Sequence, residues 1–181
     1  MQPYQPYQPY TGVLLMPDRK MFGTSSPVTL PNGALVALIR WHSWTMRARF
    51  EILDPTGSVE LAHGARSGHF GRSYRVLAPR GETLLDLKLS LWGGRRGTVT
   101  LPGGQVLSTK GNWSNRRFSI ADQAGRPVAR ILTTSGAFAM RPDSFAFELQ
   151  LPVLSVVQAV GLAQCMRAAV EAARRAASSS G

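Results

Sequence analysis

Arginine and tryptophan are the residues with the most chemistry to offer in this sequence. Arg40, Arg47, Arg49, Arg95, Arg96, Arg116 and Arg117 fall in two stretches, with Trp41, Trp44, Trp92 and Trp113 beside them. A guanidinium keeps its charge and forks onto phosphate or carboxylate, and tryptophan favours the boundary between membrane and water. Together they describe a surface for an anionic partner. That partner is either the head groups of a phospholipid membrane or a nucleic acid held by basic loops and aromatic stacking. Taken singly, each arginine is better read as a solvated outer residue and each tryptophan as a packing residue of a strand.

Other chemistry is sparse. His42, His63 and His69 are the only histidines, and none has a metal-ligand partner at helical spacing. Cys165 is the single cysteine, which excludes an internal disulfide and a cysteine-based zinc site. It stands in an apolar run, where a thiol is inert. No nucleophile elbow, phosphate-binding Gly-Lys-Ser/Thr loop or dinucleotide fingerprint occurs, and no carboxylates are paired for acid–base work. Gly93-Gly94-Arg95-Arg96-Gly97 reads as a turn presenting two arginines. The expectation is a protein that is not an enzyme and uses no cofactor.

The charge balance supports an anionic partner. Twenty-one Lys and Arg, 18 of them Arg, face 10 Asp and Glu, a formal net charge of +11. The charges are segregated. Residues 87 to 121 carry Lys88, Arg95, Arg96, Lys110, Arg116 and Arg117 and no acid, and residues 19 to 50 carry Arg19, Lys20, Arg40, Arg47 and Arg49 and no acid. Separation of this kind makes a patch rather than a mixed surface. The start of the chain lacks a basic-then-apolar signal pattern, so a cytoplasmic protein is expected, peripheral to the inner face of the membrane.

The elements that must position these residues are mostly strands. Leu85, Leu87, Leu89 and Leu91 alternate with Asp86, Lys88 and Ser90, and Met46, Ala48, Phe50 and Ile52 alternate with Arg47, Arg49 and Glu51. That is the period of a half-buried strand. Asn32-Gly33 and Gly103-Gly104 are hairpin turns. The chain also repeats itself: Thr29-Leu30-Pro31-Asn32-Gly33 returns as Thr100-Leu101-Pro102-Gly103-Gly104, and Phe50-x-Ile52-x-Asp54-x-x-Gly57 returns as Phe118-x-Ile120-x-Asp122-x-x-Gly125. Each copy of the second motif reads as a strand running into a turn that Asp caps and Gly completes. The fold expected is mainly β, a closed antiparallel barrel or sandwich in two related halves.

The two ends differ from this body. Three Gln-Pro-Tyr units, Gln2 to Tyr10, head a flexible tail over residues 1 to 22; as polyproline II they would suit a groove on a protein partner. A single domain then fills 23 to 178. Its last part, a helix over about 153 to 177, is apolar nearly all round between Val153 and Met166. Such a helix is buried in protein or lipid, and its uncharged part is shorter than the roughly 20 residues a membrane span needs. A core helix is expected, entered at Pro152.

In this order of motifs the sequence resembles the Tubby C-terminal-like superfamily, specifically phospholipid scramblases and LURP-one-related proteins. The resemblance rests on the two Phe-x-Ile-x-Asp-x-x-Gly copies and on Asp143-Ser144-Phe145-Ala146-Phe147 leading into Ala159-Val160-Gly161-Leu162-Ala163-Gln164-Cys165. It implies a barrel of about twelve strands around the C-terminal helix, and binding of anionic phospholipids or, alternatively, lipid scrambling itself. Of the acids that scramblases carry before that helix, only Asp143 and Glu148 have counterparts. Calcium takes six to eight oxygen ligands, so these two are a poor start for a calcium site. The Cys-rich cluster through which scramblases are lipidated is absent.

Overall fold

Twelve strands close on one another in a ring. The computed structural model describes residues 5–17, 25–42, 49–68, 72–90, 96–112, 117–133 and 144–178. In chain order the first six strands are β1 (Gly12–Pro17), β2 (Ser26–Thr29), β3 (Leu35–His42), β4 (Arg49–Leu53), β5 (Glu60–Arg66) and β6 (Ser73–Leu77). The second six are β7 (Thr83–Leu89), β8 (Arg96–Thr100), β9 (Val106–Asn112), β10 (Arg117–Ala121), β11 (Pro127–Thr133) and β12 (Ser144–Leu149), followed by one helix, α1 (Val156–Ser178). Every strand pairs with its chain neighbours, and β1 pairs antiparallel with β12. The closed antiparallel barrel expected from the sequence is therefore present, and closure removes the exposed edges that an open sheet would leave.

Alternation sets the two faces of the wall. In β7, Leu85 and Leu87 are fully buried while Lys88 is exposed; in β4, Phe50 and Ile52 point inward and Arg49 outward. The internal repeat places its two copies six strands apart in the ring. The Thr29–Gly33 turn precedes β3 and its copy precedes β9, while the Phe-x-Ile-x-Asp motifs are β4 and β10 with the turns that follow. Both copies shift register at the same place, between Ile52 and Leu53 and between Ile120 and Ala121. Asp54 accepts the amides of Ser58 and Val59, and Asp122 accepts those of Ala124 and Arg126. Gly57 and Gly125 follow with φ of 75° and 78°, a left-handed conformation that favours glycine. Both aspartates are turn residues, as read from the sequence.

The helix runs through the ring. Leu162, Val160, Val157 and Cys165 have no exposed surface, and burial continues to Val170. Its contacts point all round: Gly161 sits against Val76 of β6, Gln158 donates to the Leu84 carbonyl on β7, and Gln164 reaches Met16 of β1. The start differs from expectation. Pro152 lies in a turn before the helix, and Ser155 caps it instead: Ser155 Oγ accepts the Gln158 amide at 3.2 Å and Gln158 Oε1 accepts the Ser155 amide at 2.9 Å. This is a reciprocal capping box, written in the sequence as Ser-x-x-Gln. Ser155→Ala is expected to lower stability by about 1 kcal/mol, a fall of about 2–4 °C in the melting temperature. An unchanged thermal melt would show that the cap contributes nothing.

Of the tail expected over residues 1 to 22, Gln5–Pro17 is built into the fold, and the rest lies outside the described residues. β1 closes the barrel, with Leu14 and Met16 buried and paired opposite Phe147 and Phe145 of β12. Ahead of it, Gln5–Tyr10 lies over the barrel end where α1 begins. Tyr10 N donates to the Leu154 carbonyl at 2.9 Å, Val157 N to the Pro6 carbonyl at 3.2 Å, and the Tyr7 hydroxyl to the Leu61 carbonyl at 2.7 Å. The Pro6 carbonyl thus serves a first-turn amide of the helix that has no partner within it.

Candidate anion-binding face

Antiparallel pairing converts a basic block of sequence into a basic area of surface. The described residues between 87 and 121 fall on β7 to β10, neighbours in the ring, so the basic block becomes one area of wall, with Asp86 of β7 and Glu148 of β12 at its borders. The register gives the detail. Arg96 of β8 stands directly opposite Lys110 of β9, Lys110 opposite Ser119 of β10, Ser119 opposite Arg130 of β11, and Arg130 opposite Glu148 of β12. Arg117 lies two residues along from Ser119 on the same outward face, and Lys88 of β7 stands opposite Thr98, two along from Arg96. Side chains directly opposite are about 4.5–5.5 Å apart at Cβ, and like charges placed so repel.

This repulsion goes uncompensated within the described protein. Among the described residues, Lys88, Arg96, Lys110 and Arg117 form no ion pair. The acids nearest them are engaged. Glu148 takes Arg130 at 2.7 Å, which holds its carboxyl below the usual carboxylate range, and Asp86 takes Arg75 at 2.7 Å, which raises that guanidinium. Two shallow grooves follow the face. One of about 700 Å³ is lined by Arg96, Lys110, Arg117 and Arg130 with Leu132 at its side. The next, about 520 Å³, is lined by Lys88, Arg96 and Lys110 together with Ser90, Thr98 and Ser108. The cations are donors only, and an outward hydroxyl such as that of Thr98 can donate as well as accept, which suits a phosphate.

The seven arginines singled out in the sequence do not form one site. Arg40 and Arg49 belong to β3 and β4, which lie across the barrel from β9 and β10 in the strand order. Arg40 shares Glu51 with His42, at 3.5 and 2.8 Å. Trp41 faces the barrel interior, 5.3 Å from the Phe50 ring centre and under the Arg167 guanidinium at 5.6 Å. Arg47, Arg95, Arg116, Trp44, Trp92, Trp113 and Asp143 lie outside the described residues. Lys88 and Lys110, which the sequence shows only as members of the basic block, belong to the face; strand parity was the signal that could have placed them there. His63 Nδ1 sits 2.6 Å from Glu60 Oε1. Among the described residues no group of three His, Cys, Asp or Glu could hold a metal ion, and Glu148 is committed to Arg130. Burial pushes the Cys165 thiol well above its ordinary range, so the thiolate does not form. Among the described residues, no helix is long and apolar enough to cross a membrane.

No family model matches this sequence, and no curated protein matches it. Among solved structures, the chain is similar to the X-ray structure of the Arabidopsis thaliana protein AT5G01750, with a TM-score of 0.57 and 14% sequence identity, over 93% of this chain and 94% of that one. At that identity the likeness is one of fold: the same course of chain through nearly the whole length of both proteins.

Proposed function

We propose that this protein is a non-enzymatic, LURP-one-like binding module for anionic phospholipid head groups, working at a membrane surface through the outer face of β7 to β10. The observation that carries this reading is the direct cross-strand opposition of Arg96 and Lys110, flanked by Arg117 and Lys88, with no acid paired to any of them among the described residues. A folded surface that sets like charges side by side is stabilised by an anion from outside. The shared barrel with the Arabidopsis protein supports placing the chain among Tubby-like, LURP-one-related folds. Lipid scrambling itself is a weaker reading, because α1 would have to leave the barrel it fills.

The magnitudes are sufficient. Each basic residue near an anionic bilayer contributes on the order of 1 kcal/mol, so four give about a thousandfold preference over a neutral surface at low salt. Sedimentation with vesicles tests it. The protein is expected to pellet with phosphatidylserine-containing vesicles at low salt, to stay in solution with phosphatidylcholine alone, and to be released as salt shortens the range of the attraction. Added calcium is expected to change nothing. Equal pelleting with both vesicle types, or retention on anionic vesicles at high salt, would count against a charge-driven face. Displacement from the vesicles by short single-stranded DNA at micromolar concentration would favour nucleic acid as the partner.

A further inference from the structure

The register of β7 to β9 surrounds one exposed hydroxyl with cations. Thr98 of β8 stands directly opposite Lys88 of β7 on one side and Ser108 of β9 on the other. Arg96 lies two residues back along the same strand, and Lys110, opposite Arg96, is diagonal to Thr98. Side chains directly opposite are about 4.5–5.5 Å apart at Cβ and diagonal ones about 7–8 Å, still within reach of long side chains. Lys88, Arg96, Thr98 and Lys110 are all exposed and line one groove, so the three cations can converge over the hydroxyl.

The two hydroxyls of this row are not equivalent. Ser108 Oγ donates to the Ala121 carbonyl at 3.4 Å. Among the described residues, the Thr98 side chain has no partner. Its neighbours Gly97 and Val99 are buried, which fixes Thr98 outward, and its branched side chain is stiff about χ1. The nearest acid, Asp86, lies two residues from Lys88 and is engaged with Arg75 at 2.7 Å.

Three cations that only donate, beside one free hydroxyl, suit an acceptor with several charged oxygens. A phosphate held as a monoester has three such oxygens and a charge of about −1.5 to −2 at neutral pH. A phosphate held as a diester has fewer free oxygens and less charge. In phosphatidylserine the phosphate is a diester and brings an ammonium, for which this corner of the wall offers no free carboxylate among the described residues. Resting on the lipid-binding reading above, we propose that this corner selects a phosphomonoester, the head group of phosphatidate. Lys88, Arg96 and Lys110 take its terminal oxygens, and the Thr98 hydroxyl donates to one of them.

Phosphatidate and phosphatidylmethanol isolate the monoester. They share the glycerol, the acyl chains and the phosphorus; the methyl ester of the second removes an anionic oxygen without adding a cation. Phosphatidylcholine vesicles containing one or the other, adjusted to equal zeta potential, are sedimented with the full chain at low salt. The protein is expected to bind phosphatidate about tenfold tighter, through additional charge-assisted hydrogen bonds. Thr98→Val keeps the branched shape and removes the hydroxyl; it is expected to cut that preference to about threefold, and Thr98→Ser to retain it. Equal affinity for the two lipids would overturn the monoester and leave the anionic-lipid face standing, whereas binding to neither would remove both. A preference unchanged in Thr98→Val would also overturn the proposal. Glycerol 3-phosphate, the same monoester free in solution, is titrated without vesicles. Binding as tight as that of phosphatidate vesicles would make the ligand a soluble phosphate and overturn the lipid.

Discussion

Leu162→Arg is expected to leave the protein unfolded at every temperature. Leu162 has no exposed surface and lies in the middle of α1, inside a closed ring of twelve strands. One residue earlier, Gly161 packs so closely on β6 that a Cβ there would meet both Val76 methyl carbons at 3.0 Å, so the helix cannot slide aside. A guanidinium in that position loses its water and finds no acid: the acids of α1 and the wall are Glu171, engaged with Arg167 and Arg175, and carboxylates on the outer surface. An uncompensated buried charge costs several kcal/mol, and the lost leucine packing adds about 2–5 kcal/mol. The sum is comparable to the whole stability of a domain, about 5–15 kcal/mol. Circular dichroism and a thermal melt of the purified variant check this. A cooperative melt near that of the parent would mean that the helix is not core.

The second large effect comes from two glycines in strands. Gly64 of β5 and Gly111 of β9 lie under Phe50 and Phe118, the equivalent phenylalanines of the two halves. A Cβ on Gly64 would come within 2.1 Å of Phe50 Cζ, and one on Gly111 within 2.1 Å of Phe118 Cδ1 and 2.6 Å of the Arg117 carbonyl. Each ring covers a glycine on a neighbouring strand, a pairing that replaces the side chain glycine lacks. Glycine to alanine in a strand otherwise gains about 0.5–1 kcal/mol. Here the expected sign is reversed: Gly64→Ala and Gly111→Ala are each expected to destabilise by about 3 kcal/mol, the upper range for overpacking, and to lower the melting temperature by about 6–12 °C. Because the clash is with a ring, Phe118→Leu should restore part of what Gly111→Ala loses, a non-additivity that separate sites would not show. A melt that rises in either glycine variant would contradict the close approach.

The features that the sequence displayed well were the local, periodic ones. Leu85 and Leu87 alternate with charges, so β7 was readable; Asp54 and Asp122 carry a turn with glycine three residues on; and the helix around Leu162 is too apolar for any surface. β1 was missed because its apolar residues face both ways and its partner strands, β2 and β12, are specified elsewhere in the chain, β12 at the far end. The helix start was misplaced because proline outweighed Ser155 and Gln158, whose spacing was visible. For the basic face, the sequence displayed the block but not the membership. Which cations converge depends on the register of four strands, and that register put Lys110 against Arg96 and sent Arg40 and Arg49 to the far side.

The central claim is that one side of the barrel carries the affinity for anionic lipid. Vesicle sedimentation of two charge-removal variants tests it most directly: Arg96→Gln/Lys110→Gln/Arg117→Gln, and Arg40→Gln/Arg49→Gln on the opposite side. With phosphatidylserine-containing vesicles at low salt, the triple variant is expected to lose about a hundredfold in apparent affinity, at about 1 kcal/mol per cation. The double variant is expected to lose less than tenfold, since Arg40 is already shared with Glu51. Equal losses in the two variants, or a larger loss in the double variant, would contradict a site on β7 to β10.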